Sequence, residues 1–422
     1  MRFGLIGSPL GHSFSPRLHA EYGTGDYVLC PLTPAELPAF FAARDFDAVN
    51  VTIPYKQDVI PFMDEMHSSA ISCGAVNTVI NRGGRLTGYN TDLFGMHFAL
   101  SHAGISLADK HVMVLGSGGT SHTARALALR EGAASVTVVS RSGEVDYAEA
   151  AKRKETEVVI NTTPVGMFPH ADASPISLAL FPRLKGVFDA VFNPLRTRLV
   201  QQALSLGVPV GSGLLMLAAQ AKVSANLFLG GDCSFPAPDS ADGKDILRAY
   251  RTLLAELTNI VLIGMPSSGK TTVGKLVANK LHRPFLDTDT ETETRTGKTV
   301  PELFAEGGEE NFRREERATV ADCAARTGAV IATGGGAPMF PENRAALKSN
   351  GHIFLLCRDT EKLDTAGRPL SRDLDTLKEM YEARMPVYKA FAESEAVNDG
   401  SPEECADKIV EKFYENFGHQ RS

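Results

Sequence analysis

Residues 264–272 read GMPSSGKTT, and their types and spacing suit the handling of phosphate. Gly264 and Gly269 let the backbone turn its N–H groups toward phosphate oxygens, Lys270 can reach the terminal phosphates, and the Thr271 hydroxyl can hold Mg²⁺. Ser267, Ser268 and Thr272 complete the candidate nucleotide contacts. Such a loop takes a nucleoside triphosphate but does not identify what receives its phosphate.

A second Gly-rich stretch, VMVLGSGGTSHT at 112–123, lacks the closing Lys-Thr. A strand runs into Gly116, Ser117, Gly118, Gly119 and Thr120, and a helix follows, the arrangement in which glycines admit a dinucleotide pyrophosphate to a helix N-terminus. The next strand ends in Val139-Ser140-Arg141-Ser142, where an NAD-binding chain places Asp or Glu for the ribose hydroxyls. Arg141 instead offers a guanidinium suited to a ribose 2′-phosphate, so the expected cofactor is NADP(H).

Both loops need a strand before them and a helix behind. Short β-rich runs at 112–115, 136–139, 158–160, 260–263, 330–332 and 353–356 alternate with helical patterns, which implies parallel sheets covered by helices on both faces. Ala124, Leu127 and Ala128 line one following helix, and Val273, Leu276, Val277 and Leu281 the other. The stretch SFPAPDSADGKD at 234–245 reads as a surface loop, with a helix over 246–257 leading into the strand at 260 across a stiff join. In SPEECADKIVEKFYENF, Ser401 can cap, Pro402 fits the first helical position and Glu404 completes a capping box. Cys405, Ile409, Val410 and Phe413 then share the buried face of a final helix.

Composition bounds the partners. With 422 residues the chain is long enough for roughly three domains, and 43% hydrophobic with 22% charged residues is the balance of a globular protein. A net charge of −7 leaves no basic excess for a nucleic-acid backbone or an anionic membrane, so small molecules are the expected ligands. The N-terminus MRFGLIGSPLGHS has too short an apolar stretch for a secretory segment, and no window suits a membrane span, so a cytoplasmic location is expected. Six scattered cysteines read as reduced core thiols, and neither they nor the eleven histidines show metal-site spacing, so no structural metal is expected.

From 258 to 418 the sequence resembles shikimate kinase, through FLDTD, NFRREE, EARMPVY, GRPLS and the run Gly334 to Gly336. The resemblance implies that Asp287 helps Thr271 organise Mg²⁺, and that Asp289 accepts hydrogen bonds from shikimate hydroxyls and acts as base. It further implies that Arg313 and Arg384 grip the substrate carboxylate, that Gly335 and Gly336 bring bare backbone against it, and that Arg368 closes over the phosphate of ATP. A small anionic polyol needs such a carboxylate at its hydroxyls and guanidiniums at its carboxyl group. Arg314 and Arg317 are expected at the surface, and Thr290, Thr292 and Thr294 are expected to face solvent. The lid base CRDTEKLDTAGRP is shorter than the family's and lacks a second lid arginine.

Residues 1 to about 257 resemble shikimate dehydrogenase, through GSPLGHSFSP, NVTIPYK, GAVNT, GYNTD, NTTPVGM and GLLMLAAQ in the family's order. This implies a substrate site of Ser13, Ser15, Thr52, Lys56, Asn77, Asp92 and Gln220, with Ala190 and Gly213 joining the Gly-rich turn, Ser140 and Arg141 at the cofactor. Hydride transfer to a ketone requires a group that stabilises and protonates the oxygen as negative charge develops. Lys56, held by Asp92, is the candidate. Three departures stand out: Phe192 where the family commonly has tyrosine, a shortened stretch over 142–157, and an abbreviated EYGTGDYVL.

Together these imply an α/β chain: a substrate domain over 1–95 and 206–257, a Rossmann-like NADP domain over 96–205, and a P-loop domain like the nucleoside-monophosphate kinases over 258–422. The implied activity is bifunctional, NADPH-dependent reduction of 3-dehydroshikimate followed by ATP- and Mg²⁺-dependent phosphorylation of shikimate, as a monomer or homodimer. The alternatives are action on quinate or another small hydroxy acid, or one half being a silent regulatory module. Retention of Lys56, Asp92, Lys270 and Asp289 speaks against a silent half.

Overall fold

The computed structural model describes residues 2–11, 13–359 and 374–418, with side chains from Lys378 onward in the last segment. Strand β1 (Phe3–Gly7) is buried along its whole length. With β2 (Tyr27–Pro31), β3 (Ala48–Val51), β4 (Glu65–Met66), β5 (Thr78–Arg82) and β6 (Arg85–Tyr89) it forms a sheet ordered β2-β1-β3-β5-β6-β4. The expectation of wholly parallel sheets fails here, because β5 runs antiparallel to both β3 and β6. The β5–β6 reversal is local: Gly83 and Gly84, at φ 61° and 85°, close a two-residue turn that only a positive-φ pair makes comfortably.

The second sheet, of β7 (His111–Leu115), β8 (Ser135–Val139), β9 (Val158–Asn161), β10 (Gly186–Asp189) and β11 (Val210–Ser212), is parallel and ordered β11-β10-β9-β7-β8. Its strand order reverses at β7, where the Gly-rich turn opens a crevice at the carboxyl ends. The helix Gly119–Arg130 behind that turn buries Ala124, Leu127 and Ala128 as expected. Between β8 and β9 the described chain has one four-residue helix, Tyr147–Ala150.

Two boundaries move. The helix Asp92–His102 runs through the expected division at 95/96, and β11 belongs to the second sheet, so the chain leaves that sheet after Ser212 and not at 206. Helix Gly213–Phe228 then lies along Asp92–His102. Gly95 permits the contact, since a Cβ there would stand 2.6 Å from the Met216 carbonyl oxygen. The next helix, Ala241–Leu257, starts earlier than 246 because Ser240 caps it, its Oγ accepting from Gly243 N at 3.0 Å.

The chain folds into two compact units, Met1–Asn193 with Thr197–Tyr250, and Pro194–Arg196 with Arg251–Ser422. The second holds a parallel sheet of β12 (Asn259–Ile263), β13 (Phe285–Asp287), β14 (Val330–Ala332), β15 (Gly351–Cys357) and β16 (Ser394–Val397), ordered β13-β14-β12-β15-β16. Alternation along central β12 divides its core: Ile260 and Leu262 pack with Val273, Val277, Ile409 and Phe413, while Val261 and Ile263 pack with Val320, Cys323, Tyr388 and Phe391. The last helix, Pro402–Glu415, buries the expected face, and Ser401 Oγ accepts from Glu404 N at 3.2 Å. All six cysteines are free; Cys73, Cys323 and Cys405 are buried, whereas Cys30, Cys233 and Cys357 are only partly so.

Candidate active sites

In the first unit, a cavity of about 320 Å³ gathers residues widely separated in sequence. Ser13, Ser15, Thr52, Lys56, Asn77, Asp92 and Gln220 all line it, with Phe192 and Met216 as apolar wall. Asp92 is the first residue of its helix, and Lys56 lies in the turn after β3. Lys56 Nζ donates to Asp92 Oδ2 at 2.6 Å, their side chains only 17% and 10% exposed. Asn77 fixes the neighbouring backbone, its Oδ1 accepting from Thr91 N at 2.6 Å and its Nδ2 donating to Thr91 Oγ1 at 3.0 Å. Ala190 and Gly213, expected on the cofactor side, border this cavity, packed so tightly that a Cβ on Gly213 would stand 2.3 Å from Ala190 O.

Beneath Ser15 lies a buried polar group whose connections the motifs do not announce. Tyr27 Oη, bonded to Ser15, donates to Asn50 Oδ1 at 2.7 Å, and Asn50 Nδ2 donates to Ser224 Oγ at 2.6 Å. His19 stacks on the Tyr27 ring at 4.2 Å, and burial holds its pKa down at about 3. The sequence signal is Asn50 itself, which opens NVTIPYK and is the one polar residue of the strand AVNV.

A second cavity, of about 720 Å³, is lined by Gly116, Ser117, Gly118, Gly119, Thr120, Ser140 and Arg141, facing Thr162 to Val165. Its Gly-rich lining and Arg141 suit a dinucleotide. Gly116 has φ 110° and a Cβ there would meet Thr162 Oγ1 at 2.7 Å, while at Gly118 the Cβ position opens into empty space. Helix Gly119–Arg130 begins at this cavity, and a helix N-terminus is a favourable place for an anion. Lys56 and Thr120 line both cavities, so the two adjoin. Behind them Asp189 accepts from Thr197 Oγ1 (2.5 Å), Asn161 Nδ2 (2.9 Å) and Val191 N (3.0 Å); burial nevertheless pushes its carboxyl up to about 6.

The phosphate loop of the second unit follows β12. Ser267 (φ 63°) and Gly269 (φ 93°) curl the backbone, and helix Lys270–Leu281 begins at once. Ser268 Oγ is buried and has no hydrogen-bond partner among the described residues. Lys270 Nζ donates to the carbonyls of Gly264 (3.0 Å) and Met265 (2.8 Å). Thr271 Oγ1 donates to Asp287 Oδ2 at 2.7 Å, which sets a hydroxyl beside a carboxylate as Mg²⁺ requires, and Thr272 is exposed. Asp287 also caps helix Thr288–Thr296, accepting from Asp289 N at 3.1 Å.

The glycine run joins the remaining positions. A Cβ on Gly334 would stand 2.5 Å from Asp289 Oδ1, one on Gly335 3.2 Å from Arg384 Nη1, and one on Gly336 2.5 Å from Arg313 Nη1. Three successive glycines thus abut the three expected substrate-binding side chains. Arg313 is 7% exposed; its Nη1 donates to Glu316 at 2.8 Å and its Nη2 to Glu309 at 3.0 Å. Burial opposes that charge, but the two carboxylates outweigh it and raise the guanidinium pKa. Glu316, the last residue of NFRREE but not among the expected site residues, is 1% exposed with Oε1 unbonded; burial raises its pKa against the pull of Arg313, and Asp289 adds to the rise. Its spacing three residues after Arg313 on one helix is the clue the sequence holds.

Arg368 lies outside the described residues. Arg314 and Arg317 are exposed as expected, as are Thr290 and Thr294, but Thr292 is buried and donates to Thr288 O at 2.7 Å. The expectation of a solvent-facing Thr292 fails because it lies one turn after Thr288 on the buried face of its helix, where Thr288 Oγ1 accepts from Gly334 N at 2.9 Å.

Residues 266–414 match the family model described as shikimate kinase, and residues 5–79 the one described as shikimate dehydrogenase substrate binding domain. The chain is 36% identical over 257 residues to the NADP(+) shikimate dehydrogenase of Symbiobacterium thermophilum, covering 51% of this chain and 85% of that protein. It is 36% identical over 254 residues to the enzyme of that name from Geobacillus kaustophilus, covering 54% and 92%. Among solved structures, a chorismate mutase/shikimate 5-dehydrogenase fusion protein from Clostridium acetobutylicum matches with TM-score 0.55 and 29% identity over 60% of this chain and 96% of that one. A shikimate 5-dehydrogenase from Thermus thermophilus in complex with NADP(H) and shikimate matches with TM-score 0.50 and 32% identity, over 59% and 99%. The chain belongs to the shikimate dehydrogenase family through its N-terminal half and bears a shikimate kinase domain after it, which makes it a bifunctional enzyme of the shikimate pathway.

Proposed function

We propose that the first unit reduces 3-dehydroshikimate to shikimate and that the second phosphorylates shikimate on the hydroxyl so created. Bound NADPH supplies the hydride and MgATP the phosphoryl group. The observation that carries the reading is the position of Lys56, which lines both the polar cavity and the Gly-rich one while donating to Asp92 at 2.6 Å. An ammonium there meets the carbonyl oxygen at the junction of substrate and cofactor, stabilises the charge developing on it and delivers a proton. Ser13 and Ser15 offer hydroxyls to the carboxylate, and Asn77, Thr52 and Gln220 bond the ring substituents. Gly116 to Thr120 receive the pyrophosphate, and Arg141 the 2′-phosphate.

In the kinase unit Arg313 and Arg384 hold the carboxylate and Asp289 takes the proton of the attacking hydroxyl. Thr271 and Asp287 hold Mg²⁺, and Lys270 exchanges its two carbonyl partners for phosphate oxygens. The glycine run that abuts Asp289, Arg384 and Arg313 supports a small ligand lying flat on backbone.

One reaction tests the whole reading. The purified chain is given 3-dehydroshikimate, NADPH and MgATP, while NADPH absorbance and shikimate 3-phosphate are followed together. NADPH oxidation with phosphorylated product is expected; shikimate accumulating without phosphorylation, or no oxidation at all, contradicts the corresponding half.

A further inference from the structure

The excursion between β8 and β9 is short, and it returns an aromatic ring to the cofactor cavity. Ser140 N donates to Val145 O at 3.1 Å and Val139 bridges Val145, so the chain doubles back immediately after Arg141. Asp146 then caps a four-residue helix, accepting from Glu149 N at 2.8 Å, and Tyr147 is the first residue of that helix. Tyr147 packs against the core of the second sheet and lines the 720 Å³ cavity together with Ser140, Arg141 and Ser142.

Orientation along the cavity follows from its ends. Lys56 marks the reacting end, where the polar cavity adjoins, and Gly116 to Thr120 mark the pyrophosphate. The Arg141 side is therefore the adenosine end, and Tyr147 is the aromatic ring among the residues lining the cavity. A ring fixed by packing on one side and open to the cavity on the other is a stacking surface for a purine.

We propose that Tyr147 is a cofactor-binding residue whose ring stacks on the adenine of the dinucleotide, while Arg141 takes the 2′-phosphate. This rests on the NADPH reading above. Division of labour follows: Arg141 distinguishes NADPH from NADH, whereas Tyr147 contacts a base common to both and leaves the preference unchanged.

The test is equilibrium binding of NADPH and of NADH to the full chain, read from nicotinamide fluorescence without substrate. Tyr147→Ala is expected to weaken both dinucleotides by about tenfold, and Tyr147→Phe, which keeps the ring, by less than about twofold. Should Tyr147→Ala disturb folding, Tyr147→Leu keeps the apolar packing without a flat face and is expected to bind as weakly as the alanine variant. Unchanged NADPH binding in the alanine or leucine variant overturns the proposal, as does equal loss in Tyr147→Phe, which would assign the effect to the phenol hydroxyl. Failure of the underlying reading looks different: the parent chain would bind neither dinucleotide, or Arg141→Ala would leave the NADPH preference intact.

Discussion

Lys56 and Asp92 form an ion pair mostly shielded from water, so neither can be removed without leaving the other inside a polar cavity unbalanced. Lys56→Ala is expected to lower the turnover of 3-dehydroshikimate by roughly 10³-fold, the scale on which a positioned proton donor acts, with shikimate phosphorylation unaffected. Steady-state assays of both reactions on the same preparation decide this, and parallel loss of the kinase reaction would refute the assigned division between units. Gly336→Ala probes the other site. Its methyl would press on a guanidinium already bonded to Glu316 and Glu309, so the KM for shikimate is expected to rise at least about tenfold, with 3-dehydroshikimate reduction unchanged. An unaltered KM would mean that Arg313 does not hold the substrate.

Elements matter because they carry these side chains as rigid pieces. The helices Asp92–His102 and Gly213–Phe228 bring Asp92 and Gln220 to one cavity, and Gly95 sets their approach. Gly95→Ala must move one helix, since the obstacle at 2.6 Å is backbone oxygen; a stability loss of about 1–3 kcal/mol and slower reduction are expected from denaturation and kinetic measurements. A wild-type midpoint in that variant would show that the helices are not in close contact.

His19 supplies a pH dependence at the same scale. Its folded pKa of about 3 lies below the ordinary 6.5, so the fold favours the neutral ring. The unfolded chain binds the extra proton first, and stability is therefore complete above pH 6.5 and falls as pH drops toward 3. Asp189 acts in the opposite sense, its raised pKa of about 6 costing stability as pH rises from the ordinary carboxylate value of 3.8, but its shift is the smaller. Urea midpoints against pH for His19→Phe should accordingly show a shallower acid limb than the parent. Parallel limbs would assign the acid sensitivity elsewhere.

At the scale of the whole molecule, the first unit holds two sheets with their own apolar cores, and the second unit holds a third sheet with a core of its own. A ligand that binds one native unit stabilises that unit by mass action, by about 2.7 kcal/mol at a hundredfold excess over Kd. In calorimetry NADP⁺ is expected to raise one transition and MgADP the other. If either ligand raised both equally, the two units would have to unfold as one.

Much of the nucleotide chemistry was legible in the sequence because its recognition is local. A strand, a glycine turn and a helix N-terminus are contiguous, and backbone N–H groups do the binding, so GSGGT and GMPSSGKT declare themselves within a dozen residues. The side-chain sites were legible only through motif order, since nothing in NVTIPYK alone says that Lys56 faces an aspartate 36 positions away. Tertiary packing alone decided the rest. It buried Thr292, kept β11 with the second sheet, and decided what Glu316, Asn50 and Tyr147 touch. The reason is the range of the forces involved: a turn conformation or helix cap is settled within a few residues, whereas the burial and partner of a side chain depend on segments that meet only after folding.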